Sequence, residues 1–319
     1  MKERAAFVAL GLAVLALGVV FQACAPRSPA PPPATIPLPP PAVSTLRVQI
    51  DRGVDTVALE DYVAGCVAAE LGSLNLDPPA AARARDVQAV LCRSYALASV
   101  GRHADEGFDL CATTHCQVFR PVPATAIGRL CREATARTAD RILRFAGRAA
   151  LPIYHADCGG HTSTPEEVWG GASASFLVSA PDDACPLRPA WRLDVTLGRL
   201  GDILRADPVM AAVGPLRSVE VERRDGSGRA AWIRLNGRQP LIIRGADFRT
   251  AVLRGLGSMS LPSTLFRITQ RAGSVTFEGQ GNGHGVGLCQ AGMIARAGRG
   301  NTPAEILAHY FPGTTVGVR

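Results

Sequence analysis

From Thr45 to Leu59 apolar residues alternate with polar ones: Leu46, Val48, Ile50, then Val54, Val57 and Leu59. That two-residue period predicts strands, and Asp51-Arg52-Gly53 in the middle predicts a hairpin. At Leu59 the period changes. Tyr62, Cys66 and Ala69, beside Val63, Val67 and Glu70, recur at spacings of three and four, so a helix is expected through Leu71 with Gly72 as its stop. A longer, alanine-rich helix is expected from Pro78 to about Val100, with Pro79 in its first turn and Gly101 beyond its end. Gly101 to Pro123 is rich in Gly, His, Asp, Thr and Cys and reads as a structured loop. Further on, the pattern predicts a helix over Arg129 to Arg141 and strands over Arg144 to His155 with a turn at Gly147. Trp191 to Pro262 follows as a mixed stretch with helices at Leu197 to Ala206 and near Gly245 to Leu256, and strands at Leu216 to Val221 and Ala231 to Leu235. A strand region (Phe266 to Phe277), a glycine-rich turn (Gly279 to Gly287) and two helices (Gln290 to Ala297, Pro303 to Tyr310) end the chain. Helices and strands mix without regular alternation and without a repeat of fixed period, which indicates an α+β fold in one domain, residues 45–319.

The first residues follow another pattern. Lys2 and Arg4 precede an almost unbroken run of Ala, Val, Leu and Gly from Phe7 to Phe21, short for a membrane span, so residues 1–23 read as an export signal. Phe21-Gln22-Ala23-Cys24 resembles a bacterial lipoprotein cleavage site, with Cys24 the residue to be lipidated; an ordinary signal peptide and an uncleaved anchor are the alternatives. Residues 24–44 are proline-rich and suit an extended polyproline II spacer of about 3 Å per residue. The expectation is an exported lipoprotein, anchored in a membrane and facing the periplasm or cell envelope.

Composition narrows the classes. Apolar residues make up 47% and charged ones 19%, enough for a sizeable core. The net charge is +7, but the 34 basic residues are scattered, so no nucleic-acid partner is expected; a mildly basic surface suits an anionic polymer or a lipid headgroup layer.

Three clusters carry candidate chemistry. Glu70 ends an apolar helical face, where burial would raise its pKa and make it a proton donor. Cys111, His115 and Cys116 lie on one loop with His103 upstream; they suit a tetrahedral zinc site, or the two cysteines a disulfide. Gly281 to Gln290 is dense in glycine around His284, which allows close approach of backbone to a ligand and is not a dinucleotide fingerprint. After Cys24 eight cysteines remain; Cys158 and Cys185 bracket the loop around Trp169 and are the first pair expected to bond, while Cys66 and Cys92 sit on apolar helices.

Taken in order, these stretches resemble the SpoIID/LytB family. The resemblance is carried by Leu59 to Gly65, Ala68-Ala69-Glu70, Arg93-Ser94-Tyr95-Ala96-Leu97, Asp109-Leu110-Cys111 with Thr114 to Gln117, Cys158 to Thr162, Val168-Trp169-Gly170, Gly283 to Gly287 and Ile306 to Tyr310. It implies elements set around a substrate cleft and lytic transglycosylase action on peptidoglycan glycan strands, with Glu70 as the catalytic glutamate. Tyr95, Gln117 and His284, with the backbone at Gly283 and Gly285, are then candidates to bind substrate. It also implies zinc at His103, Cys111, His115 and Cys116. LytB-like relatives modify a cell-wall amidase instead, which makes a non-catalytic, peptidoglycan-binding enhancer the alternative and an amidase a possible partner. Cys92 and Cys289 depart from the family, which more often has small or hydroxylated residues there.

Overall fold

The computed structural model describes residues 43–172 and 174–319. Cys24, the export signal and all but the end of the proline-rich linker lie outside the described residues.

The predicted hairpin forms from β1 (Thr45–Ile50) and β2 (Gly53–Ala58), with Val48 opposite Asp55 and Asp51 in the left-handed region at the turn. The helix α1 (Leu59–Leu71) follows directly, with Glu60 and Asp61 in its first turn, where acidic groups meet the positive end of the helix dipole. Asp77 caps α2 (Pro78–Ala98), accepting from the Ala80 N–H at 2.7 Å, and Pro78 lacks the N–H that would otherwise be orphaned. Small residues dominate α2 because it is packed on both sides. One face meets α1, the hairpin and the short β3 (Leu110–Cys111), which adds to β1 in parallel, in a core that includes Val48, Tyr62, Val67, Ala89, Ala96 and Phe119.

Arg93 ties this half together. Its guanidinium is fully buried and bonds Glu60 through both carboxylate oxygens (2.9 and 2.6 Å), Thr135 O at 3.1 Å and Thr138 O at 2.8 Å. Those carbonyls belong to the end of α3 (Ala126–Arg137) and the residue after it. Ser94 beside it accepts from the Leu143 N–H at 2.8 Å and so docks β4 (Arg141–Phe145) onto α2.

The other face of α2 packs against a second core. It includes Leu143 of β4 and Phe176, and takes part of its residues from the segment that holds β5 (Arg148–Ala149), β6 (Tyr154–His155) and α4 (Pro165–Trp169). The chain then builds a third core wholly from residues 191–279. Here β7 (Trp191–Thr196) joins α5 (Leu197–Arg205), β8 (Ser218–Arg224), β9 (Ala230–Asn236), β10 (Leu241–Arg244), α6 (Gly245–Leu256), β11 (Phe266–Arg271) and β12 (Ser274–Gly279). Two three-stranded antiparallel sheets, β10-β9-β8 and β11-β12-β7, enclose Leu200, Ile233, Phe248 and Phe277. From there the chain returns to the second core: β13 (Leu288–Cys289) lies parallel to β6, α7 (Gln290–Gly298) and α8 (Pro303–Tyr310) pack on α2, and β14 (Thr315–Val318) pairs with β4. The fold is α+β, as the pattern predicts.

Two boundaries differ from the pattern for physical reasons. The expected helix through Arg141 stops at Arg137, because residues 141–144 pair with β14, more than 170 positions along the chain. The strand region expected from Phe266 to Phe277 is a hairpin, turned at Ala272 and Gly273, both with positive φ.

Candidate active site

Glu70 lies in the last turn of α1, half-buried. Gln290, the first residue of α7, donates from Nε2 to Glu70 Oε2 at 3.0 Å, and the same nitrogen lies 3.4 Å from Gln88 Oε1 on α2. Both amide hydrogens of Gln290 are therefore used. The Tyr154 hydroxyl on β6 also bonds the Glu70 carboxylate and accepts from Gln117 Nε2 at 2.9 Å. Burial pushes the Glu70 carboxyl above the usual range, while the bonds from Gln290 and Tyr154 pull the other way. The net direction is upward, which keeps a proton on the carboxyl to higher pH than on an exposed glutamate. Among the described residues, the hydrogen-bond partners of Glu70 are an amide and a phenol.

The glycine-rich turn lies behind Tyr154. His284 Nδ1 accepts from the Val286 N–H at 3.0 Å, which puts its proton on Nε2, and Nε2 donates to Tyr154 O at 3.1 Å. Both ring nitrogens are thus committed to backbone. Burial and the nearby Arg229 charge hold the His284 pKa at about 3, so the ring is neutral. Its faces meet His155 and the half-exposed Trp169, at centroid distances of 5.3 and 5.0 Å. The glycines bring the loop against the protein itself: a Cβ at Gly283 would fall 2.8 Å from His155 Cβ, one at Gly285 2.3 Å from Arg229 Nε, and one at Gly287 2.1 Å from Ile153 O.

The loop between α2 and α3 gathers His103, Cys111, His115 and Cys116, with one donor atom from each lying within 4.8 Å of the others. His103 Nε2 is 3.2 Å from Cys116 Sγ, and its Nδ1 bonds Glu106 at 2.5 Å, the outer contact that orients a histidine ligand. Burial raises the Cys111 thiol, but bonds to Thr113, Cys116 and His115 outweigh it and bring the pKa to about 7. Burial pushes Cys116 up to about 11. Two thiols and two imidazoles suit a tetrahedral zinc ion.

Comparison with known proteins bears on this arrangement directly. The model of the stage II sporulation protein family, SpoIID, matches residues 51–145, the stretch that holds Glu70, Arg93 and the Cys/His loop. An uncharacterised protein of Brachyspira hyodysenteriae is 29% identical over 266 residues, covering 82% of this chain and 67% of its own length. Stage II sporulation protein D of Bacillus subtilis is 23% identical over 293 residues, 83% of this chain and 76% of that protein. The family model and these relatives together support the SpoIID/LytB family for this chain. The amidase enhancer of Bacillus subtilis is 22% identical over 273 residues, 72% of this chain but only 37% of that longer protein.

Of the residues that the SpoIID/LytB pattern singles out, the structure brings Glu70 and Gln117 together through Tyr154, and attaches His284 to the backbone of that same tyrosine. Tyr95 lies elsewhere, beside the Cys/His loop, its hydroxyl accepting from Arg102 at 3.1 Å. Cys158 and Cys185 are free thiols in one cluster with Cys289. Tyr154, Gln290 and Gln88 are the site residues that sequence reasoning missed. Gln290 closes the glycine-rich motif and Tyr154 precedes a histidine, yet neither position signals that it faces a carboxylate more than 80 residues away.

Proposed function

We propose that this protein acts on the bacterial cell wall as a lytic transglycosylase, cutting peptidoglycan glycan strands with Glu70 as acid and then base. The observation that carries the reading is the Glu70 site itself: a half-buried carboxyl with an elevated pKa, held by Gln290 and Tyr154. Hydrolytic glycosidases ordinarily use two carboxyl groups. A transglycosylase needs one, because the nucleophile is the sugar's own C6 hydroxyl. Glu70 gives its proton to the glycosidic oxygen as the C1–O bond of N-acetylmuramic acid breaks. The resulting carboxylate takes the C6 hydroxyl proton as that oxygen bonds C1, which leaves a 1,6-anhydro end and consumes no water. Gln290 and Tyr154 stabilise the carboxylate between the two transfers, and the half-exposed Trp169 offers a flat apolar face for a sugar ring.

Zinc, where bound, would sit between His103, Cys111, His115 and Cys116 as a structural cross-link. Gln117 follows Cys116 directly, so ordering that loop orders the donor to Tyr154. The protein is exported in this reading and tethered through Cys24. The likeness to the amidase enhancer supports a second reading, a glycan-binding partner of a cell-wall amidase that cuts nothing itself.

The deciding experiment is mass spectrometry of muropeptides released from peptidoglycan, with and without stem peptides, by the full chain and by Glu70→Gln. Anhydro-muramic ends from the wild type alone are expected. No release from either substrate, with stimulation of an added amidase by both proteins, would replace the enzyme reading with the enhancer one.

A further inference from the structure

Behind Gln290 lies a second group of soft ligands. Cys158 at the end of the β6 segment, Cys185 in the loop before β7, Cys289 at the N-cap of α7 and Asp182 are all buried, and their donor atoms lie within 4.8 Å of one another. Cys185 and Cys289 sulfurs are 3.7 Å apart, and Cys158 Sγ is 3.6 Å from Asp182 Oδ2. A tetrahedral zinc ion with bonds of about 2.3 Å to sulfur and about 2.1 Å to oxygen places sulfurs about 3.8 Å apart and sulfur and oxygen about 3.6 Å apart. A disulfide requires about 2.05 Å and leaves the third cysteine alone.

The surroundings suit thiolates. Gly160 N–H points at Cys158 Sγ at 3.3 Å, while Cys158 N–H and Gly292 N–H point at Cys289 Sγ at 3.2 and 3.4 Å. Tyr310 donates to Asp182 Oδ2 at 2.7 Å, the kind of outer contact that orients a carboxylate ligand. A cation is also in place. Arg229 is 1% exposed and donates from Nη2 to Cys158 O at 2.6 Å, and its Nε and Nη1 have no acceptor among the described residues. A buried guanidinium so poorly bonded calls for negative charge nearby. Three thiolates and a carboxylate around a divalent ion carry a net charge of −2, which adds to the charge that Asp225 and Asp157 already set near Arg229.

We propose that Cys158, Cys185, Cys289 and Asp182 bind a thiophilic divalent cation of the zinc class, separate from the Cys/His loop. Its role is structural: it fixes the N-terminus of α7, and thereby Gln290, against Glu70. The ion displaces the thiol protons as it binds, and no redox change is involved.

The test uses the full chain, purified anaerobically and titrated with a chromophoric chelator, with zinc measured by mass spectrometry. The His115→Ala/Cys116→Ser variant disables the loop site and is expected to keep one equivalent of zinc; adding Cys185→Ser removes it. Cobalt substituted into the first of these variants should show thiolate-to-metal charge transfer and the absorption of a tetrahedral ion. Asp182→Asn is the milder variant, keeping all three thiols and weakening zinc at least tenfold in competition. A loop-disabled protein that is folded by circular dichroism but zinc-free, both as isolated and after zinc is added, overturns the proposal. So does a mapped disulfide between any two of the three cysteines.

Discussion

Gln290 donates one amide hydrogen to Glu70 and turns the other toward Gln88, so a single side chain at the start of α7 joins the ends of a network across α1 and α2. Its bond favours the ionised glutamate. Gln290→Ala therefore moves the Glu70 pKa further up, and the alkaline limb of the pH–rate profile, where the acid form is lost, moves to higher pH. The proton-accepting half of the reaction loses support, so kcat falls by roughly tenfold while KM changes little. An unshifted limb in muropeptide-release assays would show that Gln290 does not act on the carboxyl.

Tyr154 and Gln117 act as one relay. Tyr154→Phe removes the hydroxyl that bonds Glu70 and leaves Gln117, 2% exposed, without an acceptor for Nε2. Each single variant, Tyr154→Phe or Gln117→Ala, should lower kcat by about five- to thirtyfold, and the double variant should cost little more than Tyr154→Phe alone. Multiplicative losses in a double-mutant cycle would mean that the two groups work separately.

This relay also marks how far the sequence could be read. The hairpin, α1 and α2 are local objects: alternation, three-and-four spacing, an aspartate cap and terminal glycines define them within some dozen residues each. Glu70 could be named as a candidate because it ends an apolar helical face, and its catalytic role is what the resemblance to SpoIID/LytB implies. Its partners could not, since Gln290 lies beyond the self-contained core of residues 191–279 and Tyr154 is held by the pairing of β6 with the distant β13. His284 looked available to a ligand from its glycine neighbours, yet both its nitrogens are spent on backbone. The same long return assembles Cys158, Cys185 and Cys289, three cysteines whose spacing alone suggested only a pair.

The glycines of that turn differ in what they permit. Gly287 has φ +70° and a Cβ there would lie 2.1 Å from Ile153 O, at the edge of the β6–β13 pairing. Gly101 has a similar φ of +75° with nothing within 4 Å. Gly101→Ala should cost about 1 kcal/mol, the backbone term alone. Gly287→Ala must also displace backbone and should cost about 3 kcal/mol or more. Urea unfolding of both variants checks the difference, and equal losses would show that the turn yields without disturbing β6.

Glu70 should also weaken the fold that holds it. Its pKa in the native protein is raised above the unfolded value by burial. The native state therefore holds the proton more tightly, and the carboxyl's favourable contribution, fully present below the unfolded pKa of about 4.3, is lost as pH rises through the native value. Above it the wild type carries a partly desolvated charge that Glu70→Gln never carries, while the substituted amide oxygen can still accept from Gln290. Glu70→Gln should be more stable than the wild type at pH 7.5, and the gap should close as the pH is lowered toward 4. Urea unfolding at a series of pH values measures this directly. A variant less stable than the wild type at pH 7.5 would mean that the bonds to the carboxylate outweigh its desolvation, and Glu70 would then be better suited to accepting a proton than to donating one.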